Sequence, residues 1–357
     1  MWFADLNTDD LSKEQLIEAR KMLGQFIKQS KSEAKHEECL ICGQRAPFCN
    51  SHTIPQFCLK NIADNGKMKS FNALVGTELL SVESGVNNAG TFHIICRQCD
   101  STIFQDYEDP QAYATTPSSK LLNQIALKNA LRDINKHETE IEMIKSIKKM
   151  MHEKEPLLSF MMDSYFDSQI TARSRDVEEC YDIFNDAKNN LTSANSNYHL
   201  ISFDQLGYVV PIAFQGMVAL ITGVNGEVIN DQYNYDPNYS VEYLHLAVFP
   251  LKNTSVIITF SDDKNTRMTA FENELKKMTI TQRLEIINRI LMWYAEDYFF
   301  SPKLPKEVSS QLEKAAQQMQ DLVTSNPEQS LRNAVKDYDL RRDTCLPNLF
   351  SYEYSVV

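Results

Sequence analysis

Apolar positions recur at helical spacing over residues 9–34, where Leu11, Leu16, Ala19, Met22, Leu23, Phe26 and Ile27 form one stripe and Asp9 or Asp10 can cap the start. The period then breaks. Between Cys39 and Cys96 short extended pieces alternate with Gly43, Gly66, Gly76, Gly85 and Gly90, a pattern that favours turns and strands over helix. His52-Thr-Ile-Pro55 reads as a strand end, Gln56–Ile62 as a short helix stopped by Asp64-Asn65-Gly66, and Phe92–Ile95 as a short apolar strand. Helical spacing returns over 118–155, led by Leu121, Leu122, Ile125, Leu127, Ala130, Leu131 and Ile134. Pro156 ends it, because its ring removes a donor and clashes with the preceding turn. A second helix follows over 157–190; its methionines and aromatic residues read as core.

At Tyr198 the texture becomes β-rich. His199–Phe203, Val209–Phe214, Met217–Thr222, Tyr243–Phe249 and Ser255–Phe260 predict an antiparallel sheet of four to six strands. Residues 266–300 return to helix, with Thr279 and Gln282 spaced as a capping box, and Pro302 and Pro305 stop it. Polar helices are expected over 306–323 and 328–339. The whole reads as an α+β protein without internal repeats. An N-terminal unit spans 1–116, a helical region 117–197, a sheet and helix packed on it 198–302, and a helical tail 303–357.

The 357 residues are 43% hydrophobic, enough to bury a substantial core. No apolar run approaches the roughly 18 residues a membrane span needs, and no basic segment precedes Asp9 as a signal peptide would require. A cytoplasmic protein without membrane contact is expected. The net charge of −12 bears on partners. Phosphate neutralisation dominates nucleic-acid affinity, so contact with DNA or RNA would need a local basic face or a basic partner chain. Lys145–Lys149 is a small basic patch of the kind a solvated helix face carries.

Eight cysteines change the picture most. Four form two Cys-x-x-Cys pairs, Cys39/Cys42 and Cys96/Cys99, while Cys49, Cys58, Cys180 and Cys345 stand singly. That distribution fits a metal site in a reducing compartment; a disulfide within each pair is the alternative. Four thiolates close a tetrahedral Zn²⁺ with no open position, so the zinc is expected to be structural. Gly43 follows the first pair, where a tight metal-binding turn wants a residue free in φ. Cys49 and His93 lie near enough in sequence to substitute as ligands but have no paired spacing partner. Cys180 and Cys345 read as buried thiols.

The series Cys39-x-x-Cys42, Ser51-His52-Thr-Ile-Pro55, Cys96-x-x-Cys99-Asp100 resembles the zinc-bearing HNH nucleases, whose ββα unit is treble-clef-like. The resemblance implies that His52 is the general base activating water, and that Asp100 helps hold a Mg²⁺ or Mn²⁺ on the scissile phosphate of DNA or RNA. Glu108 would supply a replacement carboxylate. It further implies an effector of bacterial antiviral defence or a toxin system, working with a protein partner. The chemistry is sound: imidazole titrates near neutrality, and hard divalent cations take oxygen ligands. Ser51 stands where the family usually has Asp, Thr91 where its central Asn falls (Asn87 and Asn88 are nearby), and no Lys or His follows Asp100 at the usual spacing. The stretch His52–Ile62 also resembles the opening of a bacterial domain family of unknown function that continues with helices, a sheet and an Asn-bearing helix, as Leu246–Pro250 and Asn288 do here. The competing reading makes His52 a structural residue bonded to a backbone carbonyl, in a non-catalytic zinc-stabilised binding or sensor protein. No Gly-rich phosphate loop, Gly-x-Ser-x-Gly or His-Glu-x-x-His is present.

Overall fold

The computed structural model describes residues 12–70, 82–191, 196–234, 236, 238–295, 297–318, 327–342 and 346–356. Its architecture is the expected α+β class, and its centre is a seven-stranded antiparallel sheet among the described residues. The strands are β1 (Ser51–His52), β2 (Lys67–Ser70), β3 (Val82–Gly85), β4 (Thr91–Phe92), β5 (Tyr198–Leu206), β6 (Ile212–Val218), β7 (Leu244–Pro250), β8 (Ser255–Asp262) and β9 (Phe299–Phe300). In the large sheet their order is β3-β2-β9-β6-β7-β8-β5, while β1 and β4 form a separate two-stranded ribbon.

Every residue of β7 is buried. Side chains alternate between sheet faces, so Ala247 and Phe249 join one hydrophobic cluster while Leu244, Leu246 and Val248 join another. A strand covered on both faces reads as a continuous apolar run, as Leu244–Pro250 does. On the second face lie α6 (Thr269–Lys277) and α7 (Ile280–Tyr294), with Phe271, Ile287 and Leu291 in the core. On the first lies the start of α4 (Ser119–Lys154), where Leu121, Ile125 and Leu131 are buried together with Ile54 and Phe104 of the cysteine-bearing region. Ser118 caps α4 by accepting from the Leu121 amide at 3.2 Å. At 36 residues α4 extends about 54 Å, so its second half leaves the sheet. There it pairs with α5 (Pro156–Asn189) around Ile147, Met151 and Phe166. The remaining helices are α1 (Lys13–Glu33), α2 (Gln56–Ile62), α3 (Arg97–Ile103), α8 (Lys306–Gln318) and α9 (Pro327–Asp337). No helix among the described residues is long and apolar enough to cross a membrane.

Several local expectations change. Val209–Phe214 and Met217–Thr222 are not two strands: β6 runs through both as Ile212–Val218. The expected helix over 266–300 breaks at Met278, because Thr279 starts a new helix with its capping box formed, and the segment ends in β9. The strand expected over Phe92–Ile95 is limited to Thr91–Phe92, with Cys96 bridging Phe48 beyond it. β2 and β3, within 1–116, pair into the sheet of 198–302 through Lys69↔Phe300 and Ser70↔Phe299. Cys180 is buried as expected, whereas Asp9, Asp10 and Cys345 lie outside the described residues.

One contact ties β5 to the helical face. His199 Nδ1 lies 2.7 Å from Asp263 and Nε2 lies 2.7 Å from Glu272 of α6. Burial opposes protonation, but the two carboxylates outweigh it and raise the imidazole above its ordinary 6.5. A raised folded pKa gives stability that is complete below about 6.5 and lost as pH climbs through the folded value. His199→Gln should therefore lower the urea midpoint at about pH 6, and the gap from wild type should close toward about pH 9. A gap constant across that range contradicts the assignment.

Candidate functional site

The four paired cysteines converge. Cys39 and Cys42 sit on a tight turn in which the Gly43 amide donates to the Cys39 carbonyl at 2.7 Å, with Gly43 at φ +69° as the motif requires. Cys96 is the N-cap of α3, its Sγ accepting from the Cys99 amide at 3.5 Å, and the Cys96 amide donates to Cys39 Sγ at 3.3 Å. All four sulfurs lie within 4.8 Å of one another, and Cys42 and Cys96 are 3.9 Å apart. A tetrahedral metal with bonds of about 2.3 Å to sulfur needs edges of about 3.8 Å. Burial opposes ionisation of Cys39, yet backbone groups of Cys42, Cys96 and Ile41 bring its thiol down to about 7. Burial and the neighbouring sulfurs push Cys99 up. Crowded thiols of this kind are stabilised by a cation, and the cluster can hold a metal such as zinc. Cys49 and His93 take no part. The Cys49 thiol faces the Ile95 carbonyl at 3.6 Å and is pushed up to about 11 by burial, and His93 packs edge-on against Phe48.

Beside the cysteines, the β1–β4 ribbon pairs Ser51 with Phe92 and His52 with Thr91, and α3 follows. Neighbouring residues of a strand face opposite ways, so Ser51 and His52 serve different surroundings. His52 is half-buried and its Nε2 lies 3.1 Å from the Val86 carbonyl. A carbonyl only accepts, so Nε2 carries the proton and Nδ1 keeps its lone pair. Burial lowers the imidazole pKa, aided by Lys128 and opposed by the Val86 carbonyl and Asp100, which keeps the ring neutral.

Ser51 turns the other way, into a charged triad. Its hydroxyl donates to Asp100 Oδ1 at 2.7 Å, and Lys128 Nζ donates to Ser51 Oγ at 2.7 Å and to Asp100 Oδ1 at 2.8 Å. Lys128 is 0% exposed, and its ammonium also lies over the rings of Phe104, Tyr107 and Phe92 at 4.2, 5.3 and 5.7 Å. These contacts replace the hydration the ammonium gives up. Sequence reasoning missed this residue. Nothing in the residue order marks it: Lys128 shares the stretch Leu121–Leu131 with Asn123, Gln124 and Asn129, and the fold buries all four.

Asp100 and Glu108 line one cleft of about 490 Å³, with Phe104 and Gln105 between them. Burial raises the Glu108 carboxyl pKa, with Lys128 opposing and Asp100 adding; the residue is solvent-exposed, so water screens much of that shift. His52 does not line this cleft. Among the described residues, the four cysteines are the only set of three or more His, Cys, Asp or Glu side chains within common reach of one ion; His52, Asp100 and Glu108 form no such set.

A buried polar chain fixes the ribbon to the sheet. The Tyr107 hydroxyl bridges the Thr53 carbonyl and Gln215 Oε1, Gln215 Nε2 donates to Asn129 at 2.9 Å, and Asn129 Nδ2 donates to His245 Nδ1 at 3.1 Å. Burial holds His245 at about 3, so it accepts as a neutral ring. Comparison of the chain with known protein families, with curated proteins and with solved structures finds no match.

Lys128→Met should destabilise the fold by about 3 kcal/mol, the lower end for breaking a buried ion pair, because Asp100 keeps 28% of its side chain in solvent. Adding Asp100→Asn to that variant should restore most of the loss in urea unfolding. A neutral Lys128→Met would show that the pair contributes nothing.

Proposed function

We propose that the chain is a zinc-stabilised binding or sensor protein built on an HNH-like, treble-clef ββα frame, in which Lys128 takes the place of a catalytic divalent cation. The observation that carries this reading is the Lys128 ammonium bonded to both Ser51 and Asp100. These are the positions to which the HNH resemblance would give the metal. Asp100 is already neutralised, and Ser51 offers a hydroxyl in place of a carboxylate. A divalent ion about 4 Å from a buried ammonium would meet roughly 8 kcal/mol of repulsion at an effective dielectric of about 20. The net charge of −12 adds a general penalty for a polyphosphate substrate. The zinc among Cys39, Cys42, Cys96 and Cys99 is structural, because four thiolates leave no position for substrate. Such a site persists where thiols stay reduced, which suits the cytoplasm.

A second reading keeps the nuclease. Its support is His52, neutral with a protonated Nε2 and a free Nδ1, the state a general base needs. Mg²⁺ or Mn²⁺ would then have to sit at the outer oxygen of Asp100 and at Glu108, with DNA or RNA in the cleft they line and a defence or toxin role behind it.

One experiment separates the two. The purified chain should contain about one zinc by mass spectrometry, and should leave plasmid DNA and RNA intact with Mg²⁺ or Mn²⁺, as should His52→Ala. Metal-dependent cutting that disappears in His52→Ala would overturn the binding reading and establish the nuclease.

A further inference from the structure

Three of the four paired cysteines are shut away from solvent: Cys39, Cys96 and Cys99 are 1, 3 and 7% exposed. Cys42 is exposed. It stands between Ile41 and Gly43 on the turn of the first pair, and its Sγ lies 3.9 Å from that of Cys96 at the start of α3. A small reagent from solvent therefore meets the cluster at Cys42, with the Cys96 sulfur beside it.

The other described thiols differ. Cys58 and Cys180 are 0 and 2% exposed, and Cys49 is half-buried. Burial pushes Cys49 up to about 11 and raises Cys58 and Cys180 as well, so all three stay protonated near neutral pH. A protonated thiol is a poor nucleophile, whereas a sulfur bound to zinc is held as thiolate. Exposure and thiolate character thus coincide at one residue, Cys42. The cluster also anchors α3. Cys96 caps the helix, its carbonyl accepts from the Asp100 amide at 3.0 Å, and Asp100 carries the bonds to Ser51 and Lys128.

We propose that the cysteine cluster is a peroxide-operated switch, in which Cys42 is oxidised first, closes a disulfide with Cys96, and lets zinc and the start of α3 go. The inference rests on the zinc reading above and adds how that site is regulated. The Cys42 thiolate attacks one oxygen of hydrogen peroxide; the O–O bond breaks, hydroxide leaves, and Cys42 becomes a sulfenic acid. The Cys96 thiolate then attacks the Cys42 sulfur; the S–S bond forms, the S–O bond breaks, and a second hydroxide leaves. Two electrons pass from the two sulfurs to the peroxide. The sulfurs close by about 2 Å to reach disulfide length. The two thiolates that remain, Cys39 and Cys99, are half the set a structural zinc needs, so Zn²⁺ is released with its charge unchanged. Without the metal, α3 loses the clamp that holds Asp100 against Lys128.

The test uses the full chain purified under reducing conditions, its zinc counted by mass spectrometry before hydrogen peroxide is added with a chromogenic zinc chelator. Peroxide should release about one zinc per chain. Peptide mapping after about half an equivalent of peroxide should find Cys42 linked to Cys96, and a thiol reductant with added zinc should restore the starting state. Amide exchange across Arg97–Ile103 should rise once zinc is lost. Cys42→His keeps a ligand that zinc accepts and should release the metal about 10-fold more slowly, having lost the exposed thiolate. A zinc-loaded chain that keeps its metal under peroxide would overturn the proposal and leave the structural zinc standing. So would a first disulfide other than Cys42–Cys96, unchanged exchange in α3 after zinc loss, or release from zinc-loaded Cys42→His at the wild-type rate. Should Cys42→His fail to fold, the mapping of the wild-type disulfide decides alone. A reduced chain that carries no zinc would overturn both readings.

Discussion

A lysine ammonium taken wholly out of water must be paired, or the chain cannot afford to bury it. Lys128 meets that constraint with one carboxylate, one hydroxyl and three aromatic rings, drawn from β1, β4, α3 and the turn after α3. Those contacts set where the ribbon and α3 sit on α4. The cysteine cluster fixes the same ribbon and helix from their other end, through the Cys96 cap and the Cys39 turn. Between the two clamps the positions of Ser51, His52 and Asp100 have little freedom. The electrostatic consequence leads to the functional reading: an oxygen pair already holding a cation has no charge left to attract a second.

The cysteine-bearing region is also bound into the rest of the fold. Its β2–β3 hairpin continues the large sheet through β9, and Tyr107, Gln215, Asn129 and His245 form an unbroken polar chain from ribbon to sheet. A buried hydrogen-bonded network of this type specifies one arrangement of its elements, because displacing any member strands the next.

Much of this was legible from residue order. The two Cys-x-x-Cys spacings, Gly43, the Thr279 capping box and the Pro156 break are local rules, and the structure obeys them. The elements that escaped are those decided at a distance. β9 is two phenylalanines long and forms because β2 and β6 present open edges to it. β6 took one strand from two apolar runs, because its register follows β7. Lys128 comes together with Asp100 across 28 residues of sequence, and no period links them. His52 illustrates the limit from the other side. Its neighbours in sequence advertise catalysis, while the partner its Nε2 meets in space is a backbone carbonyl.

The most direct test of this account is anomalous X-ray diffraction from crystals grown with excess Mn²⁺, recorded on both sides of the zinc and manganese edges. The account predicts a zinc peak among the Sγ atoms of Cys39, Cys42, Cys96 and Cys99, and no manganese peak at Asp100, with Lys128 Nζ still bonded to Ser51 and Asp100. A manganese peak at Asp100, with the lysine displaced, would contradict it.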